Sequence, residues 1–274
     1  MRIFREPSKL QKWARARSKS GAKIALVPTM GYLHDGHLSL IAEAKRRKAD
    51  EVIVSIFVNP VQFGPNEDYA KYPRDEKADM AKCRAAGATA VFFPTPENMY
   101  LDMHSVYVDE EALSKGLCGA RRPGHFRGVC TVVAKLFNLS YPDFAVFGMK
   151  DYQQAQIIKR MVRDLNFPLE VVLAPIVREK SGLAMSSRNV YLSADESEKA
   201  IALSRLLKSV KIGKNATAER DRVCKELETE GLRVDYVEIV DGETLAPVDE
   251  TAKGVCVLVA VYNGKTRLID NRVL

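Results

Sequence analysis

Short apolar runs alternate with amphipathic stretches over roughly the first 175 residues of the chain. Five runs rich in β-branched residues have the length of strands and lie at residues 23–30, 51–58, 89–93, 144–147 and 169–173. The stretches between them have a helical period of apolar positions and cover residues 36–48, 74–86, 131–139 and 151–165. In the run at 51–58 apolar residues fall on both faces, which is typical of a strand buried within a parallel sheet. The alternation therefore predicts an α/β fold with a doubly wound, Rossmann-like parallel sheet.

The pattern changes after Pro175. Two helical stretches at residues 194–211 and 216–230 are followed by three short strand-like runs at 234–240, 255–262 and 266–270. The last two runs are joined by Asn263-Gly264-Lys265, and Asn-Gly is a strong hairpin signal. We therefore predict two domains, a Rossmann-like nucleotide-binding domain over residues 1–176 and a small α+β lid domain over residues 177–274.

Length and composition narrow the class of protein. The chain has 274 residues, of which 46% are hydrophobic, and its longest clean apolar run, at residues 255–262, is far shorter than the ~20 residues that span a bilayer. The first 23 residues have no apolar core of the kind that a secretory signal needs. Five cysteines, an odd number without any C-x-x-C pair, fit a reducing compartment. The sequence predicts a cytoplasmic globular protein with no membrane partner.

The net charge of +7 is unevenly distributed. Residues 1–175 carry 26 Lys and Arg against 19 Asp and Glu, whereas residues 176–274 carry 16 of each class. This excess predicts that the first part handles an anion, either a nucleic acid or a small phosphate ester. A nucleic-acid surface would interleave basic and aromatic residues on one face, but these cations lie in ligand motifs or scatter over helices. We therefore expect a small phosphate-bearing ligand and no nucleic acid.

The first predicted strand runs into two histidines three residues apart, at the mouth of a helix. Its end reads Pro-Thr-Met-Gly-Tyr-Leu-His-Asp-Gly-His over residues 28–37. At this spacing His34 and His37 can point to one side of the helix N-terminus, where free backbone N–H groups favour an anion. Gly31 and Gly36 would let a ligand approach the main chain closely. The alternatives are a metal pair, for which no third ligand cluster lies nearby in sequence, or two surface histidines.

Two further segments combine small residues with cations. Gly148-Met149-Lys150-Asp151 lies where a strand becomes a helix, and Lys150 could reach a phosphate, although Asp151 could equally be a helix N-cap. Met185-Ser186-Ser187-Arg188 follows the last parallel strand and offers two hydroxyl donors and a permanent positive charge. An ordinary Ser-rich turn is the alternative for this second segment.

A loop after the strand at 51–58 carries neutral polar side chains. Asn59 and Gln62 stand three residues apart and are bracketed by prolines and aromatic residues. Such a loop would be rigid and would offer neutral hydrogen bonds to a small polar molecule, and an ordinary strand-exit loop is the alternative.

These motifs together resemble a known family. His34-Asp35-Gly36-His37 is similar to the H-x-G-H signature of the nucleotidyltransferase superfamily, which includes class I aminoacyl-tRNA synthetases. With the Asn59–Gln62 loop, Gly-x-Lys-Asp-Tyr-Gln-Gln at 148–154 and Gly-Leu-Ala-Met-Ser-Ser-Arg-Asn at 182–189 in the same order, the chain resembles the pantoate–β-alanine ligase family. The segment 117–129 is also similar, and the resemblance runs from residue 23 to about residue 192. Val61 and Met149 depart from the residues frequent in that family, but neither change removes a donor that the implied mechanism needs.

The resemblance implies an enzyme that condenses (R)-pantoate with β-alanine in an ATP-dependent reaction. Pantoate would first form pantoyl adenylate and release pyrophosphate, and β-alanine would then displace AMP to give pantothenate, a coenzyme A precursor. It also implies Mg²⁺ with ATP and a homodimer, while the metal ligands stay unknown because a hard cation held by phosphates leaves little protein signature. Another adenylyl- or cytidylyltransferase with a different acceptor is the alternative, whereas a tRNA synthetase fragment lacks an evident anticodon domain.

The resemblance also implies residue roles. His37 would act as the acid-type residue at the leaving group and His34 as a phosphate contact, with Lys150 and Arg188 as further catalytic cations. The residues implied to bind ATP are Met30, Gly31, Tyr32, Leu33, His34, Asp35, Gly36, His37, Gly148, Met149, Lys150, Asp151, Val177, Met185, Ser186, Ser187 and Arg188. Gln62 would contact both pantoate and β-alanine, Gln154 would hold pantoate, and Asn59 would line the acceptor site.

Overall fold

The computed structural model describes residues 1–65 and 67–274. Asn66 belongs to the loop that carries Asn59 and Gln62, called the acceptor loop below, and lies outside the described residues. The described residues form two compact units. The first unit comprises Met1–Lys115, Gly119–Met149 and Gln154–Pro175, and the second comprises Gly116–Cys118, Lys150–Gln153 and Ile176–Leu274. Among the helices of this described part, none combines the length and the apolar character that a bilayer crossing requires.

The first unit is built on a parallel sheet. Within the described residues its six strands are β1 (Arg2–Phe4), β2 (Ile24–Thr29), β3 (Glu51–Ile56), β4 (Ala90–Phe92), β5 (Phe144–Gly148) and β6 (Glu170–Ala174). Their order is β1-β4-β3-β2-β5-β6, and every pair is parallel. The predicted doubly wound sheet is confirmed. The edge strand β1 was not predicted, because three largely exposed residues carry no periodic signal and the strand forms by pairing with β4.

Helices flank this sheet. In chain order up to Pro175 they are α1 (Pro7–Lys19), α2 (Asp35–Arg46), α3 (Glu76–Ala86), α4 (Pro96–Met99), α5 (Leu117–Arg121), α6 (His125–Ser140) and α7 (Tyr152–Asp164). Apolar residues of α2 pack with those of β2, β3 and β5 in one buried cluster. Helix α3 ends at Gly87, whose φ of 87° is the left-handed cap that the sequence predicts. Helix α6 begins at His125, six residues earlier than the predicted start at residue 131.

The order of strands reverses direction at β2. From β2 the chain moves outward to β3 and β4 on one side, while β5 and β6 pair on the other side. In open parallel sheets ligands bind beyond the carboxyl ends of the strands at such a switch point. Met30 follows β2 and Gly148 ends β5, so two of the predicted ATP-binding segments begin at adjacent strand ends.

The second unit has an antiparallel sheet of three strands within the described residues, β7 (Arg233–Asp241), β8 (Val255–Asn263) and β9 (Thr266–Val273), in that order. Helices α8 (Ala194–Ser209) and α9 (Ala216–Thr229) pack against it through apolar side chains such as Leu203, Leu227 and Val257. Asn263 pairs with Thr266 across a two-residue turn, in agreement with the Asn-Gly hairpin signal. The predicted smaller C-terminal α+β part is confirmed as a fold.

Candidate active site

The turn after β2 has a strained backbone that only particular residues can adopt. Gly31 and Tyr32 are consecutive left-handed residues, with φ of 86° and 52°. A Cβ atom on Gly31 would lie 2.9 Å from Cγ2 of Ile56 and 3.0 Å from Oδ2 of Asp79. Glycine is therefore required at position 31 both for its φ and for the space. Because β3 and α3 crowd this turn, its path is fixed before any ligand arrives.

A buried carboxylate on α3 holds the same turn. Asp79 is 2% exposed, and its Oδ2 and Oδ1 accept the N–H groups of Tyr32 and Leu33 at 2.8 Å and 2.7 Å. Lys82, one turn further along α3, donates from Nζ to the Leu33 carbonyl at 2.6 Å. Burial raises the pKa of Asp79, although the two backbone N–H groups and Lys82 favour its charged form. Neither residue is predicted from the sequence, because no local motif links them to the turn.

The two histidines lie together and cap α2. His34 is the N-cap residue, and its Nδ1 accepts the Gly36 N–H at 3.2 Å. In return, Nδ1 of His37 accepts the His34 N–H at 3.2 Å, and the ring centroids are 4.0 Å apart. Since each Nδ1 accepts a hydrogen bond, the proton of each neutral imidazole is on Nε2. The pair therefore presents two Nε2–H donors, the form that suits an anionic ligand.

The backbone of this turn differs from the sequence argument in one respect. The sequence predicts free N–H groups at the helix mouth, yet several of these groups already donate to acceptors within the protein. The Gly31 N–H donates to Oγ1 of Thr29 at 3.2 Å and the His37 N–H to the His34 carbonyl at 2.7 Å, beside the bonds to Asp79 and the two imidazoles. Side chains, rather than these N–H groups, are the donors that the turn offers to an anion.

The predicted substrate residues sit in a buried amide network beside this turn. Nδ2 of Asn59 donates to Oε1 of Gln62 at 3.0 Å, and the hydroxyl of Tyr100 donates to Oδ1 of Asn59 at 2.8 Å. Nε2 of Gln62 lies 3.2 Å from the Met30 sulfur. Burial raises the pKa of Tyr100, which keeps its hydroxyl as a donor. The structure thus brings Gln62, a predicted substrate residue, into contact with Met30, a predicted ATP residue.

A second network ties the backbone of this loop to α6. Nδ1 of His125 lies 2.8 Å from the Gln62 carbonyl, and Nη1 of Arg122 lies 2.9 Å from Nε2 of His125. Arg122 also pairs with both oxygens of Glu67, at 2.7 Å and 2.6 Å. Partial burial works against ionisation of Glu67, but Arg122 outweighs it and lowers the pKa of that carboxyl. His125, which lies in the segment 117–129 that resembles the family, is a buried support for the loop that carries Gln62.

The end of β5 contributes the last segment of the first unit. Gly148 closes the strand, and a Cβ atom built there would meet nothing within 4 Å, so packing does not require glycine. Gln154 follows on α7 and is half-buried. Open space at Gly148 fits the expectation that a ligand approaches the main chain at this point.

The remaining predicted residues belong to the second unit. The Met185 N–H donates to the Val177 carbonyl at 3.0 Å, so two of the predicted ATP-binding segments of this unit are neighbours. Ser186 caps a short 3₁₀ helix, Ser187–Tyr191, by accepting the Arg188 N–H at 3.2 Å. The Lys150 carbonyl accepts Nδ2 of Asn271 at 2.9 Å. The Ser-rich segment is therefore a capped helical turn, and Lys150 is held by strand β9.

Clusters of metal-ligating side chains and activated thiols were sought among the described residues. No group of three or more His, Cys, Asp or Glu side chains in that part of the chain could hold a metal ion. The five cysteines are free thiols, and burial raises the pKa of Cys83, Cys130 and Cys256 to about 12. These three thiols stay protonated near neutral pH and are unsuited to act as nucleophiles.

The sheet is doubly wound, paired histidines lie at its switch-point turn, and an amide-lined loop lies beside them. These features define a class of nucleotide-binding enzymes that transfer a nucleotidyl group or use one to activate a substrate. Comparison with known proteins identifies the family within this class. The family model described as Pantoate-beta-alanine ligase matches residues 2–273. The chain belongs to the pantoate–β-alanine ligase family.

Relatives match over nearly the whole chain. A pantothenate synthetase of Myxococcus xanthus is 52% identical over 277 residues, covering 98% of this chain and 94% of the relative. One from Moorella thermoacetica is 51% identical over 280 residues, covering 100% and 99%. The activity is the ATP-dependent condensation of pantoate with β-alanine, as the sequence motifs predict. The alternative of a nucleotidyltransferase with another acceptor is not supported.

Solved structures agree in fold. Pantothenate synthetase from Thermus thermophilus aligns with a TM-score of 0.91 at 43% identity, covering 100% of this chain and 99% of the other. Pantoate-beta-alanine ligase from Francisella tularensis, complexed with beta-gamma ATP and beta-alanine, aligns with a TM-score of 0.85 at 33% identity and coverages of 100% and 97%. These matches confirm the fold class.

Proposed function

We propose that the turn after β2 and the end of β5 bind ATP, and that the Asn59–Gln62 loop binds the two condensing substrates. The observation that supports this most is the contact between Gln62 Nε2 and the Met30 sulfur at 3.2 Å. Adenylation needs the pantoate carboxylate beside the α-phosphate of ATP. Contact between the predicted substrate residue and the predicted ATP turn meets that requirement within a single unit.

The first step is proposed to depend on the histidine pair. An oxygen of the pantoate carboxylate forms a bond to the α-phosphorus, the bond from that phosphorus to the bridging oxygen breaks, and pyrophosphate leaves. Negative charge develops on the leaving group, and fixed Nε2–H donors of His34 and His37 would stabilise it. His37 takes the position nearest the leaving oxygen and His34 contacts a phosphate. Because both rings are held by their Nδ1 atoms, the donors need not reorient.

The second step is proposed to use the acceptor loop. The amine of β-alanine attacks the acyl carbon, the bond from that carbon to the AMP oxygen breaks, and the amine proton passes to water. Gln62 contacts both pantoate and β-alanine, Asn59 orients Gln62, and Gln154 holds pantoate. No strong base is proposed here, since bringing the amine to the activated acyl group supplies much of the acceleration.

We propose further roles for residues of the second unit. Lys150 and Arg188 would balance phosphate charge, Ser186 and Ser187 would donate hydroxyls, and the Val177 main chain would contact adenine. Residues 177–274 are proposed to act as a lid domain. Magnesium is proposed to arrive with the triphosphate, as a hard cation held mainly by phosphate and water oxygens.

A homodimer in a reducing compartment completes the proposal. Three apolar side chains within six residues of one another are 74%, 96% and 76% exposed, namely Leu101, Met103 and Val106. Such an exposed apolar surface supports its burial against a second copy of the chain. The free cysteines support a cytoplasmic location.

A two-stage assay tests the proposed site. The protein is incubated with ATP, Mg²⁺ and pantoate, pyrophosphate is measured, and β-alanine is then added while AMP is followed. The replacement His37→Asn keeps an acceptor near the position of Nδ1 and removes the Nε2–H donor. We expect it to slow pantoate-dependent pyrophosphate formation by ~10²-fold or more.

The matched control is His104→Asn, measured at saturating pantoate because His104 packs between Tyr107 and Tyr100, whose hydroxyl donates to Asn59. It should leave pyrophosphate formation near the wild-type rate. A His37→Asn enzyme that forms pyrophosphate at the wild-type rate would contradict the role of the histidine pair.

A further inference from the structure

The carboxylate of Asp79 fills an anion-binding concavity with the protein's own charge. Successive backbone N–H groups beside a left-handed residue form such a concavity, which commonly receives a phosphate. Here the N–H groups of Tyr32 and Leu33 both point at Asp79, one at each oxygen. A ligand phosphate cannot use these donors, because a buried side chain of α3 already occupies them.

This arrangement is unfavourable for the carboxylate itself. Burial of Asp79 raises its pKa, so ionising this carboxyl costs more in the folded protein than in the unfolded chain despite its hydrogen bonds. The turn that it holds is also unfavourable, because Tyr32 is a non-glycine residue at a φ of 52°. The two acceptor oxygens of Asp79 compensate for the cost of this backbone geometry, because they hold the N–H groups of Tyr32 and Leu33.

Asp79 and Lys82, together called the clamp below, hold the residue that precedes the histidine pair. Lys82 holds the Leu33 carbonyl at 2.6 Å while Asp79 holds the Leu33 N–H, so both polar groups of this residue are fixed by α3. The next residue in the chain is His34, the N-cap of α2 and the partner of His37. A change in the orientation of the Leu33 peptide group would therefore move both imidazoles.

We propose that Asp79 and Lys82 are positioning residues for adenylation: without touching ATP, they fix the Tyr32–Leu33 backbone so that the Nε2–H donors of His34 and His37 meet the triphosphate. This inference rests on the proposed ATP site. It assigns a function to α3, which carries none of the sequence motifs.

The replacement Asp79→Asn tests the clamp with little change in volume. The amide keeps one acceptor and turns a donor toward the second N–H, so the turn loses one of its two bonds. We expect the KM for ATP in pyrophosphate formation to rise roughly tenfold, with the KM for β-alanine unchanged. The melting temperature without ligand should stay within about 3 °C of wild type, because removing the buried charge offsets the lost hydrogen bond. Lys82→Met should raise the KM for ATP in the same direction by a smaller factor.

Cys83→Ala is the matched control for damage to the helix. Cys83 is fully buried beside Asp79 on α3 and makes no hydrogen bond to the turn among the described residues, so this variant should lower the melting temperature without changing the KM for ATP. If Asp79→Asn behaves like Cys83→Ala, Asp79 is merely structural and the proposal is overturned. If Asp79→Asn does not fold, Lys82→Met decides in the same assay, and an unchanged KM for ATP in that variant overturns the proposal.

His37→Asn is run in parallel to separate two kinds of failure. A normal pyrophosphate rate in His37→Asn means that the proposed ATP site itself is wrong. An impaired His37→Asn together with an unimpaired Asp79→Asn refutes only the positioning role.

Discussion

Two loops that follow neighbouring strands are held in place by different physical means. The nucleotide turn after β2 is fixed through its backbone N–H groups, which Thr29, Asp79 and the two imidazoles accept. The acceptor loop after β3 is fixed through neutral amides and backbone carbonyls, with the ion pair Arg122–Glu67 at its far end. The first loop combines strain with buried charge, whereas the second depends on many modest hydrogen bonds.

This difference follows from what each loop is proposed to bind. A triphosphate carries dense negative charge, so donors must be fixed in advance and other anions kept from the same site. Pantoate and β-alanine are small polar molecules, and neutral amides can bind them without the desolvation cost of further buried charges. We therefore expect single changes in the nucleotide turn to have large effects and changes in the acceptor loop to have graded ones.

The largest effect is expected from Gly31→Ala. The new Cβ atom would meet Ile56 and Asp79 at about 3 Å, on a residue at a φ of 86°. Left-handed strain and overpacking together should reduce the free energy of unfolding by about 2–4 kcal/mol, measured by urea denaturation. Pantoate-dependent pyrophosphate formation should fall at least as strongly as in Asp79→Asn.

Gly21→Ala is the matched comparison for this change. Gly21 has a similar φ of 82°, but nothing lies within 4 Å of a Cβ atom there. It should cost only about 1 kcal/mol from strain and leave activity intact. Equal costs for the two variants would mean that the close packing around Gly31 has no energetic weight.

The sequence predicts the residues of the two loops that lie within short motifs, but it does not predict the residues, distant along the chain, that hold these loops in place. Strand ends, glycines and the histidine spacing are short-range patterns, and they led to residues 30–37, Asn59 and Gln62, which the fold brings side by side. The residues that hold those segments are Asp79, Lys82, Tyr100 and Arg122, which come from α3, the region after α4 and the segment before α6. Only the tertiary fold brings them to the loops, so no periodicity or spacing could reveal their roles.

An intermediate effect is expected from Tyr100→Phe in the acceptor loop. The change removes the hydroxyl that donates to Oδ1 of Asn59 at 2.8 Å, while the Val61 N–H still donates to that atom at 3.3 Å. Loss of one neutral hydrogen bond should cost about 1 kcal/mol, which corresponds to a roughly fivefold rise in the KM for pantoate. The KM for ATP should change much less.

Tyr107→Phe is the control for Tyr100→Phe. Tyr107 is more exposed, and its ring stacks under Arg127 at 3.9 Å, a contact that phenylalanine preserves. If both variants change the KM for pantoate equally, the Asn59 hydrogen bond does not orient the acceptor loop.

The smallest effect is expected from Glu67→Gln, and it depends on pH. Because Arg122 lowers the pKa of Glu67 in the folded protein, the ion pair stabilises the fold above the ordinary Glu range and loses that contribution as the pH falls through the lowered value. The melting temperature of Glu67→Gln should therefore lie below wild type at neutral pH, with the gap closing as the pH falls below the ordinary Glu range. Both side chains are partly exposed, so the gap should correspond to less than about 1 kcal/mol.

Glu67→Gln in an Arg122→Met background tests whether the effect of Glu67 depends on the ion pair, and its kinetic effect tests whether the pair supports only the acceptor loop. Without Arg122, the gap that closes with acid should be much smaller, since the largest cause that lowers the pKa of Glu67 has been removed. In the wild-type background the kinetic effect of Glu67→Gln should fall on the KM for pantoate or β-alanine and spare the KM for ATP, because Arg122 and His125 connect Glu67 to the Gln62 carbonyl. If the KM for ATP changes as much as the KM for pantoate or β-alanine, the Gln62–Met30 contact couples the two loops, and a change in the position of one loop changes that of the other.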